Sequence, residues 1–525
     1  MRKNIVIFLL SSLLIFASCL AYLFYTTDYE VPLKNYSNKK ILNKLFSIDN
    51  EPFKNLISLN LIISEDVKKN LTKTRNLFLK YGYIGNDLPN PYHPIKIKIK
   101  DSTYEAKIRF KGDFLDHISD KIKWSYKIKL KGSTKIMGMK EFSIQRPEVR
   151  NGFGELLFHE ILKKFEFPTI KYDFINVYEN DIHFGLYAIE GRFNFGFFES
   201  NKIKVSPIIK YNDQEFFNHK RRISGKAKNG VIWSDWSYFS SQIDCYKLDK
   251  IIKDASLKKV LEEQTKNLEL LRQGEIKCSE VFDIKKLATF YAICDLFGSY
   301  HATQFPNLRY YFDYNLEKLV PIGYDANGLS KIDLLFGQEL SKYGSENYGG
   351  KRFEHRLNFL LLDEDFLSEY HKQLNKFSSL DYCDSILKQT NLDNGFYDNV
   401  MKELNFSINQ IYNNCNVISS NINTSNRIYA NLIFANEDKI EISIINRNFI
   451  SSEVIDIVNS KNEIIASKPK PNIIWFREKA SHSKFQRPIF FVNQSYNIND
   501  LFLRFKVLGL EKIDKVKILG WKITE

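Results

Sequence analysis

Between residues 94 and 130 apolar and polar side chains alternate with a period of two, and this pattern limits the fold more than any other feature. Ile95, Ile97 and Ile99 are separated by lysines; after the polar turn Asp101-Ser102, Tyr104, Ala106, Ile108 and Phe110 resume the alternation. A strand sends successive side chains to opposite faces, so the two runs predict a hairpin with one buried face. A third strand is expected from Trp124 to Leu130, with Tyr126, Ile128 and Leu130 on one face and Lys127 and Lys129 on the other.

The period then changes. Phe153, Leu156, Leu157 and Ile161 have helical spacing, and a second hairpin follows from Tyr172 to Tyr178 and Phe184 to Ile189. Upstream, Ser64-Glu65-Asp66 reads as the cap of a helix through Val67, Leu71, Leu77 and Phe78, with Pro89, Pro91 and Pro94 barring its continuation. The middle third is mainly helical (Leu257 to Leu271, Ile284 to Phe297, and residues 353–413). A short hairpin from Leu308 to Phe312 and Leu319 to Ile322 interrupts it, with Asp325 just beyond. From about residue 428 to 523 strands return, which predicts a β-sandwich-like domain of roughly 100 residues. The expected organisation is an apolar start (1–25), a linker and helical collar (26–92), a central α+β domain (93–415) and a β-rich C-terminal domain (416–525).

One uncharged apolar run approaches the length of a membrane span: Ile5 to Tyr25, preceded by Arg2 and Lys3. Basic residues ahead of it predict a cytoplasmic N-terminus and export of the rest. An uncleaved signal anchor is the first reading; a cleaved signal and a lipobox at Cys19 are the alternatives. The expected location is a bacterial cell membrane, single-pass, with the bulk of the chain outside the cytoplasm. A multi-pass membrane protein is excluded. With 44% apolar and 14% aromatic residues, so is wholesale disorder. Cysteine adds little, since five residues beyond Cys19 have no regular spacing; a bridge such as Cys245 to Cys278 is open, a disulfide scaffold is not. Lys and Arg (76) exceed Asp and Glu (62) by 14, but the surplus is spread along the chain, so no nucleic-acid partner is expected.

Several signatures fail. His159-Glu160 opens like a zinc-protease helix, yet Lys163 stands where the second ligand belongs. No G-x-S-x-G elbow exists, and Gly344 to Lys351 lacks the hydroxyl residue of a phosphate loop, because Arg352 follows. What remains is an order: three strands, a helix, a hairpin, then a helical region with a polar loop and an Asp after a short hairpin. Phosphoryl transfer uses such parts, namely a strand Lys paired with a helix Glu, and a loop Asn and an Asp for the metal. Lys129 or Lys127, Glu155 or Glu160, Asn307 and Asp325 occur in that order.

The stretches AKIRFKGD (106–113), KWSYKIKLKG (123–132), FSIQRPEVRN (142–151), FGLYAIEGRF (184–193), SPIIKYND (206–213) and PNLRYYFDYNLEKLVPIGYDANG (306–328) together resemble the spore-coat protein H (CotH) kinase-like family over roughly residues 93 to 335. The resemblance implies an atypical protein-kinase-like fold, with a β-rich N-lobe and a helical C-lobe. It also implies ATP binding with Mg²⁺ or Mn²⁺ and phosphoryl transfer to a protein or envelope acceptor. By the same resemblance Asp325 in GYDANG and Asn307 are metal ligands. Lys129 is the preferred phosphate lysine and Lys127 the second, while Glu155, Glu190 and Lys210 belong to the nucleotide site. One departure stands out: Tyr300 to Pro306 contains no carboxylate where family members carry a catalytic Asp. His301 is the expected substitute base, or else a hydrogen-bonded core histidine. The alternative reading is therefore a catalytically impaired pseudokinase, acting as a cell-envelope binding or assembly module.

Overall fold

The computed structural model describes residues 53–520, apart from residue 86 and segments 215–234, 333–334, 336–359, 361–362, 391, 393–394, 423–427, 447–449 and 475–486. The expected signal anchor (1–25) and the glycine-rich loop Gly344 to Lys351 lie outside the described residues. Among the described residues no helix is long and apolar enough to cross a membrane.

Seven strands form the N-terminal sheet: β1 (Ser58–Ile62), β2 (His93–Ile99), β3 (Ser102–Phe110), β4 (Tyr126–Leu130), β5 (Glu141–Gln145), β6 (Tyr172–Glu179) and β7 (Ile182–Glu190). Their order is β1-β2-β3-β4-β5-β7-β6, and the sheet closes into a barrel. Closure comes from β1, which pairs antiparallel with β2 and parallel with β6, Leu59 opposite Val177. Ile97, Ile108, Phe110, Ile128, Phe142, Ile144, Tyr187 and Ile189 fill the interior. At roughly 1.5–3 kcal/mol for each large apolar side chain removed from water, this packing stabilises the barrel. The alternation read from the sequence locates β2, β3, β4, β6 and β7. It misses β1, inside the expected linker, and β5, a five-residue run in which Phe142 and Ile144 alternate with Glu141, Ser143 and Gln145 but which is too short to stand out. Helix α1 (Glu65–Tyr81) starts at Ser64, whose Oγ accepts the Val67 N–H, and stops at Gly82 in the left-handed region. Val67, Leu71 and Phe78 bind it to the barrel core.

The middle region begins with α2 (Phe153–Lys164) and contains α3 (Ala255–Gln273), α4 (Ile284–Phe297), α5 (Glu364–Phe377), α6 (Leu380–Lys388) and α7 (Asn409–Ile422). Helix α4 is buried on every side from Leu287 to Phe297, which marks it as the central helix. A single apolar cluster joins Phe158 of α2, Phe297 of α4, Phe366 of α5 and Ile418 of α7. Beside the helices lies a four-stranded sheet of β8 (Ile208–Tyr211), β9 (Ile243–Cys245), β10 (Arg309–Asp313) and β11 (Lys318–Pro321), ordered β11-β10-β8-β9. The bridge considered between Cys245 and Cys278 is not formed: both thiols are free, and Cys278 donates to Asp363.

The C-terminal strands are β12 (Ile428–Ala435), β13 (Lys439–Asn446), β14 (Ser452–Val458), β15 (Ile464–Ile474), β16 (Ile489–Val492), β17 (Phe502–Val507) and β18 (Ile513–Leu519). They correct the expected β-sandwich. The sheet is a second closed barrel, ordered β12-β13-β16-β15-β14-β17-β18. The first and last strands pair in parallel, Ala430 opposite Ile518, so no edge remains. This barrel rests on α5, where His371 Nδ1 lies 3.0 Å from the Leu508 carbonyl. Gly509 has φ +87°, and a Cβ there would sit 2.4 Å from the Ser368 carbonyl oxygen, so this contact requires glycine. The architecture is α+β: two seven-stranded barrels with a helical region between them in sequence.

Candidate functional site

The site begins with strand register. Because Ile108, Ile128, Ile144 and Ile189 point into the first barrel, their neighbours point out. Register aligns Arg109, Lys127, Ser143 and Glu190 in one outer row across β3, β4, β5 and β7. Two residues along the strands, Lys107, Lys129 and Glu141 form the next row. The first row is covered where it reaches β5 and β7: Ser143 is 2% exposed and Glu190 4%. A carboxylate so buried needs cationic partners. Glu190 Oε2 accepts from Lys111 Nζ at 2.8 Å and from Gln145 Nε2 at 3.0 Å, with Arg150 Nε at 3.8 Å. Arg150 then turns its Nη1 to Asp325 Oδ1.

Asp325 comes from the loop after β11. Asp325, Asn327 and Leu329 all have positive φ (54°, 48° and 69°), a conformation that costs non-glycine residues of order 1–3 kcal/mol each. Glu155 on α2 holds this turn. Its Oε1 and Oε2 accept the Ala326 N–H at 3.2 and 3.1 Å, and Oε2 accepts the Asn327 N–H at 3.1 Å. His301, on the one-turn helix Tyr300–Thr303, sets Nδ1 2.7 Å from the Asp325 carbonyl oxygen and 3.1 Å from its Oδ1. Both atoms are acceptors, so Nδ1 carries the proton. Asn307 Nδ2 donates to the His301 carbonyl at 2.9 Å and lies 3.1 Å from His301 Nδ1.

Charge pairing outweighs burial at the centre. Burial would raise the Asp325 carboxyl, but Arg150 and His301 hold it well below the usual carboxylate range. Burial opposes ionisation of Glu190 as well, and Lys111 with Arg150 reverses the sign and lowers it. His301 is raised despite burial, because Asp325 faces it. Lys127 has the opposite fate: burial, followed by repulsion from Arg192, takes it down to about 8, although Asp113 partly opposes this. Arg109 and Lys111 add to the repulsion. A face that crowds cations in this way favours a bound anion.

An open cleft of about 410 Å³ adjoins the cluster, lined by Asp116, Arg146, Glu148, Asn151, Asn327 and Ser330 among others. Asn151 Nδ2 donates to the Gly328 carbonyl and so ties the two rims together. Among the described residues no three His, Cys, Asp or Glu side chains gather as a metal centre. The two residues named for a metal supply one carboxylate, Asp325, which Arg150 and His301 already hold, and one amide, Asn307; Glu155, Asp116 and Glu148 are further carboxylates nearby. Magnesium and manganese favour oxygen, and magnesium typically takes one or two carboxylates and completes its shell with water and substrate phosphate. Two such donors are too few for an all-protein cage.

Of the residues named from sequence, His301, Asn307, Asp325, Glu155 and Glu190 meet in one connected network. Lys127 stands in the same strand row as Glu190. Lys129 does not join them; it is half exposed and paired with Glu141 at 3.0 Å. Lys210 pairs with Asp244 at 3.5 Å on the four-stranded sheet, and Glu160 pairs with Lys163. Among the described residues neither Glu155 nor Glu160 pairs with a strand lysine, and the buried lysine–glutamate pair is Lys111 with Glu190. Lys111, Gln145 and Arg150 were missed by sequence reasoning. They lie in AKIRFKGD and FSIQRPEVRN, stretches already singled out, where a Lys just past a strand and an Arg ahead of a helix were the available signals. No family model matches the chain, and no curated protein matches it.

Proposed function

We propose that this chain is a membrane-anchored, extracytoplasmic kinase-like protein of the spore-coat protein H type, which binds ATP with Mg²⁺ or Mn²⁺ and transfers a phosphoryl group to a protein or envelope acceptor. In this reading the first barrel serves as the β-rich lobe and the helical region as the helical lobe. The observation that carries it is the convergence of Asp325, Asn307 and His301 with Arg150, Glu190 and Lys111 beside an open cleft. Lys127, in its row with Arg109, receives the phosphates. Asp325 and Asn307 hold the divalent cation, which when bound neutralises charge on the transferred group. With Nδ1 committed to Asp325, His301 keeps Nε2 as the basic nitrogen for the acceptor hydroxyl. Glu155 fixes the loop on which Asp325 stands.

The test is label transfer from ATP by the full-length protein in detergent, with Mg²⁺ or Mn²⁺. Asp325→Ala should lower transfer about 100-fold or more, since electrostatic stabilisation of this kind is worth roughly 3–4 kcal/mol. Unchanged transfer in that variant removes the site assignment. A second reading, the impaired pseudokinase acting as an envelope binding module, has one specific observation in its favour: Arg150 already supplies Asp325 with a buried cation. ATP-dependent thermal stabilisation without label transfer is its signature. The absence of both stabilisation and transfer with any nucleotide removes the kinase reading and favours the binding-module one.

A further inference from the structure

The apolar core of the helical region holds two thiols in contact. Cys383 on α6 and Cys415 on α7 are fully buried, with their sulfurs 3.6 Å apart. Cys383 is also 3.3 Å from the Phe377 carbonyl, and a thiol has one hydrogen to share between the two contacts. The residue next to Cys415 reaches the candidate site. Asn414 Nδ2 donates to the carbonyls of Leu296 and Ser330, each at 2.9 Å, while its Oδ1 accepts the Ile332 N–H at 3.1 Å. Ser330 lines the cleft. One buried amide on α7 thus holds the end of the segment that begins at Asp325.

We propose that Cys383 and Cys415 form a disulfide when the chain folds in an oxidising compartment, and that this bond fixes α7 so that Asn414 holds the Asp325–Ile332 segment in place. The inference rests on export of the chain but not on phosphoryl transfer. Each thiol loses its proton as the S–S bond forms, and the two electrons pass to an oxidised protein dithiol, whose own disulfide is reduced to two thiols. Burial means that the exchange takes place before α6 and α7 close over the sulfurs. The cross-link spans a sequence separation of 32 residues, long enough to remove substantial freedom from the unfolded chain.

The test uses the full chain, purified without reductant from an oxidising compartment, denatured, treated with a thiol-alkylating reagent and digested. A Cys383–Cys415 linked peptide pair, lighter by two hydrogens, is expected, with Cys245, Cys278 and Cys294 alkylated. Adding a reductant should lower the melting temperature by on the order of 5 °C and speed proteolysis within residues 325–332. The Cys383→Ser/Cys415→Ser variant should match the reduced protein and ignore the reductant. Separate alkylation of Cys383 and Cys415 in the wild-type chain overturns the proposal, and this readout stands even where the variant fails to fold. A melting shift that persists in the double variant overturns it as well.

Discussion

The two barrels share a plan and differ in what covers them. Each has seven strands, and each closes through a parallel pair, β1 with β6 and β12 with β18. In the C-terminal barrel, β13 and β17 alternate buried and half-buried positions, as strands do when one face meets water. In the N-terminal barrel, β5 and the end of β7 are buried on both faces. There the outward charges must find partners, and Glu190 collects Lys111, Gln145 and Arg150. On the C-terminal barrel the cross-strand pair Glu453 with Lys506, at 3.4 Å, stays about one-quarter exposed, and among the described residues the one pair with a buried carboxylate between these strands, Asp456 with Arg504, keeps its guanidinium partly exposed. Closing a sheet into a barrel leaves its outer charges in water; they are drawn into a connected, buried network where a second layer covers one of its faces.

The contrast can be broken most directly at Glu190. Glu190→Gln leaves Lys111 and Arg150 short of a buried negative charge and should cost about 3–5 kcal/mol in denaturant unfolding. A loss below about 1 kcal/mol would mean that the covered face is wetter than its burial implies. The pH dependence follows in size. Glu190 titrates lower in the folded chain than unfolded, so its contribution is complete above the unfolded value of about 4.3 and is lost as pH falls through the folded value. Stability measured from pH 6 downward should therefore fall less steeply in Glu190→Gln than in wild type.

Lys127 sharpens the comparison from the opposite direction. Its folded value of about 8 lies below the unfolded one, so the destabilisation is complete below about pH 8 and fades as pH rises toward the unfolded value. Lys127→Met should raise stability at pH 7 by about 1–2 kcal/mol, lose that advantage near pH 10, and weaken stabilisation by ATP. A variant that binds ATP unchanged would remove Lys127 from the proposed phosphate site, and one that gains no stability would mean that its charge is better solvated than its burial implies. The smallest effect belongs to the C-terminal barrel. Glu453→Gln should change stability by less than about 1 kcal/mol, and added salt should shrink even that.

How much was legible can be followed residue by residue. The alternation around Ile97, Ile108 and Ile128 located the first strands, and Ser64 located the start of α1, because period and capping are properties of neighbouring residues. Asp325 and Asn307 stood out by chain order and His301 by the family resemblance, and the three sit in one network. Lys111 and Arg150 passed unnoticed, since a lysine after a strand and an arginine in a turn ordinarily face solvent. Strand β5 was hidden by its length: Glu141 to Gln145 alternate polar and apolar residues, but five residues are a weak signal, and the burial of Ser143 and Gln145 on the outer face is not written in that pattern.

The sequence by itself determined which segments are strands or helices over most of the chain, which strand side chains face inward, and where α1 begins, because these follow from the local period and from capping. Only the tertiary structure decided that both sheets close, that Glu190 meets Lys111 and Arg150, and that Cys383 meets Cys415. Closing the first barrel joins Ser58 to Asn176, 118 residues away. Such a pairing depends on where the chain returns in space, and local periodicity carries no information about that. Whether a charge on an outward face stays in water or becomes buried is settled by the layer packed over it, at the far end of the same long-range assembly.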